Sequence, residues 1–333
     1  MKYIFLIAVT IIFFSCNNDK KISVKYIKNA GFAHGTTYHL TYKSDTNLIN
    51  ELEQQMHNVD KSLSTFDSLS TISLINKNDS TLVLDTMFIK VFNKAKQVYR
   101  ITEGAFDMTV ANLVNAWGFG FEKFAGVDTN FIDSLLQYVG FDKINIIDQK
   151  IVKQNKYITL DASAIAKGYS VDIVSEYLES KGITDYLVEI GGEVRTKGLN
   201  AKGEKWRIGI DKPIDDSLAI NEQIQQIIQL SGKAIATSGD YRKFYYKNGI
   251  KYSHTVNPKT GFPVTHNLLG VSVIADNCMT ADAFATGFMV LGVEKSMEIA
   301  RNDTTIEVYL IYSDKNDSLQ VIMTDGFKKY LDR

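Results

Sequence analysis

Apolar residues recur every three or four positions between Leu48 and Leu63, which predicts an amphipathic helix that begins just after Asn47. The same spacing predicts three more helices, over about 86–101, 164–180 and 280–291. The helix over 164–180 should end at Lys181-Gly182, because a basic residue followed by glycine is a common helix C-terminus.

Short runs of β-branched and aromatic residues predict strands between these helices. They lie at 38–42, 186–190, 206–210, 225–230, 271–274, 306–312 and 319–323. Asn248-Gly249 separates two further runs, 244–246 and 250–252, which predicts a tight hairpin, and the polar stretch 211–221 predicts a loop. Because strands and helices follow one another without a regular βαβ order, the pattern favours an α+β fold over a doubly wound sheet.

The first sixteen residues have a different pattern. Lys2 precedes an apolar run over 4–14, which is short for a membrane-spanning helix, and Ser15-Cys16 ends that run. This resembles a bacterial lipoprotein signal with cleavage before Cys16 and lipid, palmitate included, on its sulfur, although Phe13 stands where Leu is usual. The alternatives are a plain secretory signal or an uncleaved anchor.

This resemblance predicts the organisation of the whole chain. A signal peptide would occupy 1–15, a lipid-anchored tether 16–27 and a single catalytic domain 28–333. The domain would be held at the cell membrane through its lipid, facing the periplasm or the extracellular side.

Composition narrows the functional classes. The 333 residues are 45% hydrophobic and 23% charged, which is enough to bury a substantial core. The formal net charge of -1 does not indicate a nucleic-acid-binding protein, which normally carries a basic excess. Cys16 and Cys278 are the two cysteines, so no disulfide framework and no CxxC metal site is available.

Three segments contain more glycine and small polar residues than a fold alone requires. In the segment 103–120, Gly104 can let the backbone approach a ligand and Phe106 offers a face for stacking, although a turn with a core aromatic is the simpler interpretation. In the segment 160–172, a helix N-terminus and Lys167 suit a phosphate, although a solvated surface lysine is commoner. Gly191-Gly192 indicates either close backbone contact or a plain turn.

A fourth segment, 236–287, holds the candidate metal ligands and a candidate acid or base. Asp282 and Thr286 are four residues apart, so they share a helix face and can present oxygens to one cation. Oxygen ligands without His or Cys clusters indicate Mg²⁺ or Ca²⁺ rather than zinc. His254, near a Pro-Gly turn, could act as an acid or base near neutral pH. A structural histidine and a helix-capping aspartate are the simpler alternatives.

Eight short motifs together resemble the ApbE family of FAD:protein FMN transferases. In chain order they are GTTY (35–38), LSTF (63–66), GAFDMTVANLVNAWGFG (104–120), DASAIAKGYSVD (161–172), EIGGEV (189–194), ATSGDYRKF (236–244), SHTVNPKTGFPV (253–264) and TADAFATGFMVLG (280–292). The resemblance departs from the family pattern at Asn257, where an acidic residue is common, and at His34, where Met is frequent.

The resemblance implies a Mg²⁺-dependent enzyme that moves FMN from FAD onto a threonine of a flavoprotein subunit and releases AMP. The acceptor would belong to a membrane redox complex, such as an ion-translocating NADH or ferredoxin oxidoreductase. The motif match implies cation ligation by the Ala164 carbonyl, Asp282 and Thr286, and handling of the acceptor's proton by His254. The implied FAD contacts are His34, Phe66, Ala105, Phe106, Asp107, Asp161, Lys167 and Val256.

Two rival functions use the same residues. A hydrolase would split FAD to FMN and AMP with water in place of the acceptor. A non-catalytic lipoprotein would bind FAD without turnover.

Overall fold

A computed structural model describes residues 25–120, 128–213, 223–239, 244–247 and 250–332. Its helices are α1 (Ile49–Leu63), α2 (Thr71–Asn76), α3 (Thr86–Ile101), α4 (Ala111–Ala116), α5 (Thr129–Leu136), α6 (Ala166–Ser180), α7 (Cys278–Leu291) and α8 (Val293–Asn302). Short 3-10 helices span Met108–Val110, Phe141–Lys143 and Phe327–Tyr330.

The strands build one large antiparallel sheet and three hairpins. They are β1 (Lys25–Ala33), β2 (Thr36–Ser44), β3 (Ile144–Ile147), β4 (Lys150–Lys153), β5 (Tyr186–Ile190), β6 (Glu193–Lys197), β7 (Trp206–Asp211), β8 (Ile224–Leu230), β9 (Lys233–Gly239), β10 (Phe244–Lys247), β11 (Ile250–Ser253), β12 (Leu268–Ala275), β13 (Ile306–Ser313) and β14 (Leu319–Met323). The large sheet has the order β1-β2-β5-β6-β9-β12-β13-β14, and β3–β4, β7–β8 and β10–β11 pair separately. This architecture confirms the predicted α+β class.

Helix α7 lies at the centre of the molecule. It packs on β9 and β12 and against α3 and α6, and almost all of its side chains are buried. The largest apolar core forms around α3, α7, β12 and β13, and a second core lies between α1, α6, β2 and β5. An all-round apolar sequence such as that of α7 is typical of a fully buried helix.

The N-terminus of α7 is held by a carboxylate from α6. Asp172 accepts the backbone N–H groups of Cys278 and Met279 through its two oxygens, at 2.9 and 2.8 Å, and forms an ion pair with Arg195 at 2.9 Å. Burial raises the pKa of Asp172, while Arg195 and the two backbone donors favour its charged form. This contact fixes the start of α7 relative to α6.

The sequence predictions hold for the periodic elements. Helices α1 and α3 and strands β5 and β14 have the predicted bounds to within one residue, and Lys181-Gly182 follows α6 as predicted. Strands β10 and β11 pair as predicted, although Asn248 and Gly249 lie outside the described residues, as does most of the predicted loop over 211–221.

One boundary of the predicted domain organisation is wrong. Residues 25–27, which we assigned to the tether, belong to β1 and pair with β2, because an alternating segment gains a full ladder of hydrogen bonds there. Residues 1–24, including Cys16, lie outside the described residues. Within the described part of the chain, no helix is long and apolar enough to cross a membrane.

Asp107 anchors the turn that precedes the first 3-10 helix. Its Oδ1 accepts the Thr109 backbone N–H and hydroxyl at 2.7 and 2.6 Å, and its Oδ2 accepts the Phe141 N–H at 3.2 Å. Burial raises the pKa of Asp107 to about 6, although these hydrogen bonds act in the opposite direction.

We therefore expect Asp107 to make the protein more stable in mild acid. A carboxyl with a raised pKa in the folded state binds its proton more tightly there, so its contribution to stability is lost as pH rises from about 4 to about 6. Relative to Asp107→Asn, the wild-type free energy of unfolding should fall by up to about 3 kcal/mol between pH 4 and pH 7. Denaturant titrations at several pH values measure this difference, and a pH-independent difference would contradict it.

Candidate functional site

The candidate site forms where the first turn of α6 meets the middle of α7. The backbone N–H of Gly168 donates to Asp282 Oδ2 at 2.9 Å. A Cβ at Gly168 would lie 2.7 Å from the Asp282 Cβ and closer still to the Cys278 carbonyl oxygen. Only glycine permits this approach of the two helices, which brings the DASAIAKG and TADAFATG motifs together.

The Ala164 carbonyl lies outside the hydrogen-bond ladder of α6. The helix begins at Ala166, and the Tyr169 N–H bonds to the Ile165 carbonyl. The Gly168 N–H is one of the first-turn donors that have no partner inside a helix, and Asp282 accepts it. The helix therefore does not use the Ala164 carbonyl, which stays a predicted cation ligand.

Thr286 lies one helical turn beyond Asp282 on α7. It is partly exposed in an otherwise buried stretch of the helix, and its hydroxyl lies 3.3 Å from that of Ser238 on β9. The predicted ligands are the Asp282 carboxylate, the Thr286 hydroxyl and the Ala164 carbonyl, and an all-oxygen set of this kind would suit Mg²⁺ and leave positions for waters or phosphate oxygens. Among the described residues, no three His, Cys, Asp or Glu side chains converge on one point where a metal ion could bind.

Lys167 lies beside this donor set and is held by Glu193. Lys167 Nζ and Glu193 Oε1 are 3.2 Å apart, and the lysine side chain is 29% exposed. Burial lowers the pKa of Lys167, but the charges of Glu193 and Asp282 outweigh this effect and raise it. Burial raises the pKa of both Glu193 and Asp282, and Lys167 counteracts this. The ammonium of Lys167 thus pairs with Glu193 and also feels the charge of the buried Asp282 carboxylate.

Two glycine-containing turns surround Lys167. Gly191, in the β5–β6 turn, has a φ of +63°, and a Cβ there would lie 2.7 Å from Thr36 Cγ2 and 3.2 Å from Lys167 Cδ. Thr36, the first residue of β2, and the stem of Lys167 thus both lie close to Gly191. Both segments contribute backbone close to the site, as the Gly191-Gly192 pair indicated.

His34 occupies the β1–β2 turn with its ring fixed by two protein contacts. Its Nδ1 lies 2.7 Å from Asp60 Oδ1 on α1, and its Nε2 lies 2.7 Å from Ser170 Oγ on α6. The ring therefore ties this turn to both helices. Contact between His34 and FAD stays a prediction.

The turn over 103–107 packs on α7 directly after Thr286. A Cβ at Gly287 would lie 3.2 Å from Phe106 Cβ, and the Asp161 N–H donates to the Met108 carbonyl at 2.8 Å. Phe106 is only 2% exposed and Ala105 is also buried. The expectation that the Phe106 ring offers a stacking face is therefore wrong, because the ring fills the core beside α7.

Two predicted contact residues near this turn have local hydrogen-bonding roles. Asp107 caps the 3-10 helix, and Asp161 Oδ1 accepts the Ser163 backbone N–H at 2.7 Å and its hydroxyl at 2.5 Å. The Asp161 side chain is nevertheless partly exposed, whereas Asp107 is buried. Of the two, Asp161 is the one whose carboxylate reaches the surface of the site.

The SHTVNPKTGFPV segment joins the site through an aromatic cluster. Val256 is buried with Leu113 and Trp117, and Trp117 Nε1 donates to the Gly261 carbonyl at 2.7 Å. The His254 ring lies 6.3 Å from that of Phe119, edge to face. The Lys259 side chain reaches the turn over 103–107, since its Cε would lie 3.6 Å from a Cβ at Gly104.

Phe66 is the most exposed of the predicted contact residues. It follows α1 and is 81% exposed, whereas the Phe106 ring is buried.

The structure thus joins the start of α6, where Ala164 and Lys167 lie, to the part of α7 that contains Asp282 and Thr286, through the Gly168–Asp282 hydrogen bond.

Glu193 is the site residue that sequence reasoning missed. In the sequence reasoning it appears only within the EIGGEV motif (189–194) and is assigned no role. A signal was present, because an acidic residue at an inward position of a strand is uncommon unless it is paired.

Comparison with known proteins shows which family the chain belongs to. Residues 34–310 match the model of the ApbE family. The chain is 36% identical to the FAD:protein FMN transferase of Vibrio cholerae over 312 residues, which cover 92% of this chain and 86% of that protein.

Two solved structures have the same fold. The flavin transferase ApbE from Vibrio cholerae superposes with a TM-score of 0.83 at 36% identity, over 92% of this chain and 100% of that one. The apo form of the Pseudomonas stutzeri flavinyl transferase ApbE gives 0.81 at 30% identity, over 92% and 96%. The protein described here therefore belongs to the ApbE family.

Proposed function

We propose that the protein is a FAD:protein FMN transferase that uses Mg²⁺ and releases AMP. One observation carries this proposal: Gly168 of α6 donates to Asp282 of α7, and Lys167, the residue before Gly168, is paired with Glu193 near the same carboxylate. This supports a site in which the Ala164 carbonyl, Asp282 and Thr286 would hold a cation near the Lys167 ammonium. That combination of hard oxygens and a fixed cation suits a diphosphate, and FAD contains one.

The reaction is a transfer at phosphorus. The acceptor threonine Oγ forms a bond to the phosphorus of the FMN half, the bond from that phosphorus to the bridging oxygen breaks, and AMP leaves with that oxygen. Lys167 stabilises the negative charge that develops on the diphosphate, because its ammonium is fixed before the substrate binds. Mg²⁺, when bound to the α6–α7 oxygens, would neutralise further charge on the same phosphates.

The attacking hydroxyl must lose a proton during this step. We assign that role to His254, whose imidazole can accept a proton near neutral pH. The His254 ring lies edge to face with that of Phe119, which packs against the cluster that contains Trp117 and Val256.

The setting of the enzyme is part of the proposal. The pattern around Cys16 supports a lipid anchor on the outer side of the cell membrane. An anchored enzyme would reach flavoprotein subunits of membrane redox complexes, which we propose as acceptors.

The activity is tested with the full chain in detergent, FAD, Mg²⁺ and a threonine-bearing flavoprotein domain. Release of AMP together with an acceptor mass gain of one FMN supports the transferase. AMP with no gain on any such acceptor favours the hydrolase, and intact bound FAD favours a flavin-binding lipoprotein.

We predict that Asp282→Asn lowers FMN transfer by about 100-fold or more, because it removes the only carboxylate of the proposed donor set. Initial rates at several Mg²⁺ concentrations measure the effect, which excess Mg²⁺ should partly reverse. The control is Asp276→Asn, an exposed aspartate just before the same helix. Wild-type rates in a folded Asp282→Asn protein would show that the metal assignment is wrong.

We predict that His254→Ala slows transfer by about 100- to 10,000-fold, the usual contribution of a general base, and leaves FAD affinity within a few-fold of wild type. Rates and flavin fluorescence titrations measure the two quantities separately. The matched control is His57→Ala, which changes an exposed histidine on α1. If affinity falls as much as rate, His254 is a binding residue and another base is required.

A further inference from the structure

Glu193 is a buried carboxylate whose hydrogen-bonding capacity is half used. It is the first residue of β6 and is only 4% exposed. Its Oε1 pairs with Lys167, whereas its Oε2 is buried and has no hydrogen-bond partner among the described residues. A buried charge with an unpaired oxygen is costly, so this residue needs an explanation beyond packing.

Stability does not supply that explanation. A buried ion pair usually contributes little net stability, because desolvation of both charges offsets their attraction. The fold nevertheless forms this pair at a turn that requires glycine, since Gly191 and Gly192 both have positive φ, +63° and +99°, which other residues rarely adopt. The turn brings Glu193 to the lysine and lets the lysine stem pass across Gly191.

The geometry does explain how Lys167 could work. A lysine side chain has a flexible four-carbon stem, and a free one would lose much rotamer entropy on binding a phosphate. Glu193 comes from a different element, β6, so its contact fixes the ammonium relative to the sheet as well as to α6. Fixing a charged group before substrate arrives is the general basis of electrostatic preorganisation.

We propose that Glu193 is a positioning residue that holds the Lys167 ammonium toward the FAD diphosphate. The inference rests on the proposed function, because it takes FAD as the substrate. It predicts that Glu193 acts through Lys167 and has no separate contact with the reacting atoms.

A double-mutant cycle tests this dependence. The variants are Glu193→Gln, Lys167→Met and both together, with Glu176→Gln, which breaks an exposed ion pair with Lys90, as the control. We expect Glu193→Gln to lower kcat/KM for FAD about 10-fold or more and the double variant to be no worse than Lys167→Met alone. Losses that multiply in the double variant, or a wild-type kcat/KM in Glu193→Gln, would overturn the proposal.

Two further measurements separate positioning from folding and from the proposed function. Glu193→Asp keeps the charge, so it should recover part of the kcat/KM that Glu193→Gln loses. It also replaces Glu193→Gln in the cycle if thermal melting shows that the glutamine variant does not fold. The cycle is also read from FAD affinity in the presence of EDTA, which requires no transfer. If the wild type binds FAD but transfers nothing, the proposed function fails. The role of Glu193 is then judged from FAD affinity alone: non-additive effects of Glu193→Gln and Lys167→Met on affinity support it, and additive effects refute it.

Discussion

The close approach of α6 to α7 at Gly168 is the constraint on which the site depends. A side chain at this position would collide with the Asp282 Cβ and the Cys278 carbonyl, so the two helices can meet only at a glycine. The contact lets Asp282 accept the Gly168 N–H, which has no partner inside α6. Asp172 fixes the same pair of helices a little further along, at the start of α7. One backbone contact thus sets the position of Asp282 relative to the start of α6, where Lys167 and the proposed ligand Ala164 lie.

Charge is distributed around this contact in a way that favours a cation and a phosphate together. Asp282 and Glu193 are buried beside a single lysine, so the cluster carries an excess of negative charge when all three groups are ionised. A divalent cation on Asp282 would compensate that excess, and the ammonium would remain for the ligand. The proposed roles of Mg²⁺ and Lys167 are therefore complementary. Each cation reduces the electrostatic free-energy cost of burying the carboxylate that lies next to the other.

The sequence predicted the elements with a clear period and the motifs with unusual residue types. Helix α3 and strand β5 had the right bounds because their apolar residues repeat at regular spacing, and Asp282 and Thr286 shared a face because they are one turn apart. Strand β1, helix α2 and strand β6 were missed, since they are partly polar or short. The two strands are held by pairing with other strands, β1 with β2 and β6 with β5 and β9. Phe106 shows the same limit, because only tertiary packing decides whether an aromatic ring faces a ligand or the core. The pairing of Glu193 with Lys167 likewise joins residues from separate elements and could not be inferred from spacing.

The most direct test of this account is a crystal structure of the protein with Mn²⁺ in place of Mg²⁺ and ADP as a diphosphate ligand, with the metal located by anomalous scattering. We expect a single strong anomalous peak from one Mn²⁺ ion that is bound by the Ala164 carbonyl, Asp282 and Thr286. The diphosphate should bind this ion and lie within reach of Lys167 Nζ. A metal bound elsewhere, or a diphosphate that contacts neither the metal nor Lys167, would contradict it.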